Sequence, residues 1–295
     1  MLRKITRVIF SIFIISFTIY ILLDTFVLSN VYQVVSTTSN TSSVASLSST
    51  TTANITDTSY EDDNISITIT TDRVNDTTVY VADIKVSDPS YLSTAFAKSS
   101  YGKNVTETTS NIASSVNAIL AINGDFYGVQ ESGYVLKNGV IYRSTSNGND
   151  DLVIYKDGSF EIINENDITI DELLQNGAYN ILSFGPALVE DSKISVSYNS
   201  EVGKSMSSNP RTAIGIIDEN HYVFVVSDGR TSESSGLSLY ELANYMKNLG
   251  CTIAYNLDGG GSSTMYFNGK VINKPTTTGN TITERKVSDI VYIGY

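Results

Sequence analysis

The 295-residue chain is 41% hydrophobic, enough to bury a substantial core and incompatible with global disorder. Its formal net charge of −12 becomes −14 outside residues 1–28, where 16 basic residues face 30 acidic ones. That surface disfavours nucleic acid, whose binding rests on neutralised phosphates, so no nucleic-acid partner is expected and any phosphate-bearing ligand has to be held by a few local cations or backbone N–H groups.

Arg3, Lys4 and Arg7 precede the apolar run Val8 to Leu23, which predicts an N-terminal membrane helix within residues 1–28. Sixteen helical residues span only about 24 Å at 1.5 Å each, against a ~30 Å hydrocarbon core, so Thr25 to Leu28 have to extend it. No Ala-x-Ala-like cleavage site follows. The expectation is an uncleaved single-pass signal-anchor in the cell membrane with the globular part outside, or a secreted protein if the segment is removed.

Residues 29–63 read as a disordered linker, because Ser36 to Thr58 is nearly all Ser and Thr with scattered Asn and Ala and cannot bury a core. A single domain is expected over 64–295. Ile65, Ile67 and Ile69 alternate with polar residues, as does Val79 to Val86, the period-two pattern of half-buried strands. Short helices are predicted at Asn111 to Asn117 and Asp171 to Asn176. Three turn dipeptides between β-rich flanks predict hairpins: Asn138-Gly139, Asp157-Gly158 and Asn268-Gly269. Thr212 to Ile217, His221 to Ser227 and Val287 to Ile293 supply further strands. One helix is strongly signalled: Ser238 and Glu241 form a capping box, Leu239, Leu242, Ala243, Met246 and Leu249 trace one face, and Gly250 follows as a C-terminal cap. The fold class is therefore α+β, a mixed, largely antiparallel β-sheet core with few helices, preceded by the membrane helix and linker.

The helix feeds the apolar run Cys251 to Tyr255, and this ends in Asn256-Leu257-Asp258-Gly259-Gly260-Gly261-Ser262-Ser263. Three consecutive glycines belong where the backbone bends through positive φ or presses against a ligand, and exposed N–H groups in such a turn cradle oxyanions. Asp258 adds a carboxylate at the end of a strand. The Gly-Lys-Ser/Thr signature of a nucleotide P-loop is missing after it. Four other polar clusters share the position of strand exit or strand start. Asn123-Gly124-Asp125-Phe126-Tyr127 offers amide, carboxylate and aromatic groups suited to a sugar. Asn209-Pro210-Arg211-Thr212 presents Arg211, whose planar fork suits phosphate. Ser227-Asp228-Gly229-Arg230 carries an acid and a base, and Glu284-Arg285-Lys286-Val287-Ser288-Asp289 leads into the last strand. His221 is the sole histidine and Cys251 the sole cysteine, in an apolar run, so a Ser-His-Asp triad, a His-rich zinc site and an internal disulfide lack raw material. Chemistry has to rest on carboxylates, arginine, amides and backbone groups, an inventory suited to glycosidic bond cleavage.

Taken together and in order, Asn123 to Phe126, Pro210 to Gly215, Ser227 to Arg230, Leu257 to Ser263 and Arg285 to Ser288 resemble the phosphodiester glycosidase family over roughly Val79 to Tyr295. The resemblance implies an α+β fold and hydrolysis of the bond between a sugar's anomeric carbon and phosphate, with a sugar-phosphate or phosphoglycan as substrate. The catalytic candidates are Asp258, Asp228, Asn123 and Asp125. Arg211, Gly259, Gly260, Gly261, Ser262, Ser263, Arg230 and Arg285 are the candidate substrate and phosphate ligands. No cofactor is required by the sequence; Asp258 and Asp228 could share a divalent metal, although no ligand spacing demands one. The rival reading is a non-catalytic surface module that binds phosphoglycan or assists polysaccharide assembly.

Overall fold

The computed structural model describes residues 2–35, 53–197 and 208–295. Alternation along Ile65–Val74 and Thr77–Val86 is realised as two long strands paired from Ile65↔Val86 to Val74↔Thr77. Their turn residues, Asn75 and Asp76, both have positive φ, the conformation that the right-handed twist of a two-residue hairpin requires. All three Gly-marked hairpins form as expected, at 135–143, 150–164 and 265–271.

Among the described residues the main sheet has nine strands, running spatially from Lys193–Ile194 through Ala187–Glu190, Ile253–Leu257, Arg211–Asp218, His221–Ser227, Thr77–Val86, Ile65–Val74 and Ser59–Glu61 to Asn54–Ile55. A five-stranded sheet orders Lys270–Val271, Met265–Phe267, Leu120–Asn123, Asp289–Ile293 and Leu92–Phe96. A three-stranded sheet of Asp150–Tyr155, Phe160–Asn164 and Ala178–Leu182 lies to one side. The registered strand pairs are antiparallel throughout.

The two large sheets face each other across Ile214, Phe224 and Leu257 on one side and Leu120, Ile122 and Val291 on the other. Their alternate residues point outward and are covered by helices. Leu239–Asn248 lays Leu242, Ala243 and Met246 on Ala213, Val223 and Val225, and Thr109–Ser115 lays Ile112 and Ala113 on Ala121 and Ile290. The α+β expectation thus resolves into four layers, helix, sheet, sheet, helix. The first helix carries the expected Ser238/Glu241 capping box. Ile170–Gln175 carries a second, from Thr169 and Glu172. The other short helix starts at Thr109 rather than 111 because Thr108 Oγ1 caps it by accepting from Asn111 N–H.

The N-terminal segment forms one helix over Leu2–Phe26 with many apolar side chains exposed. Among the described residues no helix is long and apolar enough to cross a membrane, so the expected transmembrane span is not found there. The Ser/Thr-rich stretch at 36–52 lies outside the described residues. Flanking it, Asn30–Val34 pairs with Ser100–Lys103, and Asn54–Ile55 and Ser59–Glu61 already pair at the edge of the main sheet, inside the stretch expected as linker.

Candidate functional site

Antiparallel register brings the candidate residues to one end of the two facing sheets. Arg211, at the start of its strand, pairs with Ser227, at the end of the next, and Thr212 pairs with Leu257. Asp228 and Asp258 therefore leave their strands beside Arg211. In the opposing sheet Asn123 ends its strand against Ile290, which places Asp125 and Asp289 at the same edge.

Asn123 stitches the two sheets together. Its Nδ2 donates to Asp258 O (2.6 Å), and its Oδ1 accepts from Thr212 Oγ1 (2.8 Å) and Thr264 N–H (3.2 Å). A fully buried amide with donor and acceptor both engaged positions its neighbours, and substrate has no access to it.

Asp258, 8% exposed, accepts from Ser262 Oγ at 2.6 Å and from Arg285 Nη2 at 3.0 and 3.1 Å. Arg285 also donates from Nε to Ser262 Oγ (2.8 Å) and from Nη2 to Gly259 O (3.0 Å). The Arg285 side chain is still 40% exposed, and among the described residues nothing bonds its Nη1. Burial raises the Asp258 pKa above the ordinary carboxylate range, and the Arg285 guanidinium opposes that rise.

Asp228 Oδ1 accepts from Lys274 N–H (2.8 Å) and more weakly from Asn273 Nδ2 (3.4 Å), and among the described residues Oδ2 accepts only from Tyr80 hydroxyl at 3.3 Å. Its pKa is raised by burial, against those hydrogen bonds. Tyr80 is pushed up to about 12 by burial and by Asp228, so it stays a donor. Asn273 also donates to Ser263 O (2.9 Å), tying the Asp228 loop to the glycine turn.

Within that turn Gly260 N–H is committed to Pro210 O (2.8 Å), which joins it to the Arg211 strand but removes it as an anion donor. Arg230, exposed, braces the rim through Asn209 Oδ1 and Thr277 O, and its guanidinium lies over Gly260. Gly260 has φ +63, and a Cβ there would sit 3.1–3.3 Å from the guanidinium atoms. Gly260→Ala is accordingly expected to lose about 1–2 kcal/mol from left-handed backbone alone, read by denaturant unfolding, and to displace Arg230. Arg211 is 6% exposed, its Nε donating to Leu237 O (2.8 Å). Among the described residues the arginines that reach solvent at this edge are Arg285 and Arg230; Lys274, whose N–H bonds Asp228, is also exposed, its ammonium paired with Glu233.

Asp125 stands apart from the Asp258 carboxylate. Its oxygens take Tyr127 N–H (3.0 Å), Ser183 N–H (3.2 Å) and Lys137 Nζ (3.1 Å), and Lys137 Nζ lies 2.7 Å from Asp289 Oδ2. The Lys137 side chain is 3% exposed and both carboxylates are fully buried. Burial alone would lower the Lys137 pKa, but the two flanking carboxylates raise it. Gly124 closes this triad, since any Cβ there would collide with the Asp289 carboxylate. Gly124 O in turn accepts Asp258 N–H at 3.3 Å.

Lys137, Asn273 and Tyr80 belong to the site and carry no site assignment in the sequence analysis; Thr212 lies in the Asn209–Thr212 cluster singled out there, with its hydroxyl on Asn123 Oδ1. Lys137 carried a signal, since it alternates in phase with Val135 on the inward face of its hairpin; Asn273 carried none. Among the described residues no group of three or more His, Cys, Asp or Glu is arranged to hold a metal. The donors around Asp258 do not suit one, because both carboxylate oxygens already face an arginine N–H. His221 pairs with Asp83 at the far end of its strand, and Cys251 is buried, its thiol pushed up to about 12.

Residues 116–294 match the family model described as phosphodiester glycosidase. The SPbeta prophage-derived uncharacterized protein YomE of Bacillus subtilis (strain 168) is 31% identical over 203 residues, which is 66% of this chain and 31% of that protein. The N-acetylglucosamine-1-phosphodiester alpha-N-acetylglucosaminidase of Mus musculus is 39% identical over 66 residues, 22% of this chain and 13% of the relative. The chain thus spans less than a third of the length of these relatives. In fold it is similar to the catalytic domain of the zebrafish N-acetylglucosamine-1-phosphodiester alpha-N-acetylglucosaminidase, solved auto-inhibited by its pro-peptide, with a TM-score of 0.62 at 23% identity over 78% of this chain and 83% of that one. A hypothetical protein from Synechocystis aligns with a TM-score of 0.57 at 14% identity, over 78% of this chain and 62% of that one.

Proposed function

The chain belongs to the phosphodiester glycosidase family, and from that premise we propose that it is an extracytoplasmic hydrolase cleaving the bond between a sugar's anomeric carbon and phosphate in a phosphodiester. The substrate class is an N-acetylglucosamine-1-phosphodiester, supported by the activity for which the mouse relative is named, or a cell-envelope phosphoglycan. Export is supported by Arg3, Lys4 and Arg7 ahead of the apolar run.

The observation that carries the reading is Arg285, anchored on buried Asp258 while its side chain remains 40% exposed. A fixed guanidinium in a partly dry site binds phosphate and stabilises charge that grows on the departing oxygens. Water attacks C1, the C1–O bond to phosphorus breaks, and its electron pair leaves on the phosphomonoester. That product has a second pKa of about 6, so little acid assistance is needed. Asp228 takes the water proton through Oδ2, its less engaged oxygen, and its raised pKa suits a base. Asp258 orients Arg285 and lends negative charge to the oxocarbenium-like centre. Asn123, Asp125 and Arg211 position these groups.

The test is to incubate the full chain with a panel of sugar-1-phosphodiesters and measure free sugar. Arg285→Lys is expected to lose about 10²–10³-fold in kcat, because one ammonium cannot hold both Asp258 and phosphate. Tight binding of a diester with no sugar released would favour the non-catalytic module, and near-normal turnover by the variant would remove Arg285 from its role.

A further inference from the structure

We infer that Tyr80 is a positioning residue for Asp228: its hydroxyl selects Oδ2 as the oxygen that takes the proton from water, and turns to accept from that oxygen once the proton has arrived. The inference rests on the reading of Asp228 as the base and deepens it.

Sheet order and alternation put Tyr80 at this edge. Val79 and Val81 pack with the Leu239–Asn248 helix, so Tyr80 and Ala82 point the other way, into the space between the two large sheets. Tyr80 pairs with Val226 and Val79 with Ser227, and Asp228 N–H extends the pairing by donating to Thr78 O at 3.0 Å. The backbone of Asp228 is thus fixed to the strand that carries Tyr80. The ring is half-buried against the core, and its hydroxyl ends 3.3 Å from Asp228 Oδ2.

The two oxygens of Asp228 differ in the kind of partner they meet. Oδ1 accepts from Lys274 N–H and Asn273 Nδ2, an amide N–H and an amide N–H₂ that only donate. Asn273 is locked in this sense, because its Oδ1 accepts from Met265 N–H (2.8 Å) and its Nδ2 also donates to Ser263 O (2.9 Å). A proton placed on Asp228 Oδ1 would therefore confront N–H groups. Oδ2 meets a hydroxyl, which both donates and accepts. In the resting protein the phenol donates to the carboxylate. When water gives its proton to Oδ2, the new O–H donates to the phenol oxygen, whose own hydrogen turns away. Only a water O–H bond breaks and only Oδ2–H forms; burial and Asp228 push the Tyr80 pKa up to about 12, so the phenol keeps its hydrogen throughout. At 3.3 Å the contact is longer than the roughly 2.5–3.0 Å of an ordinary O–H···O bond, which leaves the hydroxyl free to turn.

The charged neighbours of Asp228 do not duplicate this role. Lys274, whose charge lowers the Asp228 pKa, holds its ammonium on Glu233, and Arg73 donates to Glu233 O. Arg230 is directed to Asn209 and Thr277, and Arg211 Nε to Leu237 O. All of these stay in place when the Tyr80 hydroxyl is removed.

The test is Tyr80→Phe in the full chain, which keeps the ring and removes only the hydroxyl. Aspartate carrying carbon-13 at Cγ is titrated by NMR, and Asp228 is identified as the signal missing from Asp228→Asn. Its midpoint is expected to rise by about half a pH unit or more in Tyr80→Phe, because a hydrogen bond to the charged form is lost. With a sugar-1-phosphodiester, kcat is expected to fall about tenfold at unchanged KM, and the rising limb of kcat/KM to move up by the same interval. A purely structural role would lower the melting temperature without moving that midpoint. An Asp228 midpoint equal to the parent's, or a variant that raises KM while kcat and the limb stay in place, would overturn the role. If the parent releases no sugar, the hydrolase reading fails, and the titration alone decides whether Tyr80 governs Asp228.

Discussion

Asp258→Asn is expected to lower turnover of a sugar-1-phosphodiester by about 10³-fold while leaving the protein folded. The amide keeps the volume of the carboxylate and one oxygen to accept from Ser262, so the glycine turn stays in place. What disappears is the charge that draws both approaches of Arg285 Nη2. The new amide N–H₂ would confront that guanidinium, swinging the cation away from the phosphate. Stability should not suffer at pH 8, and the sign follows from burial. The folded-state pKa of Asp258 is raised above its unfolded value, so ionisation costs the fold stability as pH climbs above about 4, and a neutral side chain escapes that cost. Asp228→Asn should give a loss of similar size with a further signature. If Asp228 is the base, kcat/KM of the parent rises with pH through a pKa displaced upward from the ordinary carboxylate value by burial, and that limb vanishes in the variant. Parent-like turnover in Asp258→Asn would sink the assignment of this cluster.

The parts of this site that were legible in the sequence are those whose chemistry is local. Asp157-Gly158 and Asn268-Gly269 announce hairpins because positive φ at the turn admits few residue types. The Asp258 turn was visible for the same reason, since three glycines in succession have few other uses. Pairings between distant segments were not legible. Arg285 and Asp258 lie 27 positions apart, and only the closing of the Asp289–Ile293 strand onto Leu120–Asn123 sets them in contact. Arg211 looked like the anion anchor because arginine at a strand start is conspicuous. Its backbone, however, enters the sheet between two buried neighbours and carries the side chain inside, where Leu237 O takes its Nε–H. The linker expectation rested on Ser and Thr being too polar to bury. Edge strands bury little: Asn54–Ile55 is exposed throughout and Ser59–Glu61 buries only Tyr60 against a core to which the next strand supplies Ile65, Ile67 and Ile69.

Lys137→Met is expected to destabilise the fold by about 3–5 kcal/mol at pH 8, because it leaves Asp125 and Asp289 facing each other as buried carboxylates with no cation between them. Methionine fills the space of the lysine stem, so cavity formation contributes little and the electrostatic loss dominates. The pH dependence distinguishes this from a packing defect. Burial raises the Asp289 pKa, repulsion from Asp125 adds to it, and Lys137 opposes both; without the lysine the folded-state pKa moves further up. A carboxyl whose folded pKa lies above its unfolded value near 4 holds its proton in the fold, and stability falls as pH rises from about 4 upward. The deficit of Lys137→Met against the parent should therefore be small near pH 4 and widen steadily toward pH 8, to about 6–20 °C in melting temperature for a domain of this size. Adding Asp289→Asn should recover much of it by removing one of the two charges. Activity should fall in the single variant even where it is still folded. The Asp125–Lys137–Asp289 triad fixes the 123–127 turn, and that turn holds the Asp258 backbone through Asn123 Nδ2 at 2.6 Å and Gly124 O at 3.3 Å. A deficit that stays constant across pH, or fails to shrink with Asp289→Asn, would show that Lys137 acts only by filling space.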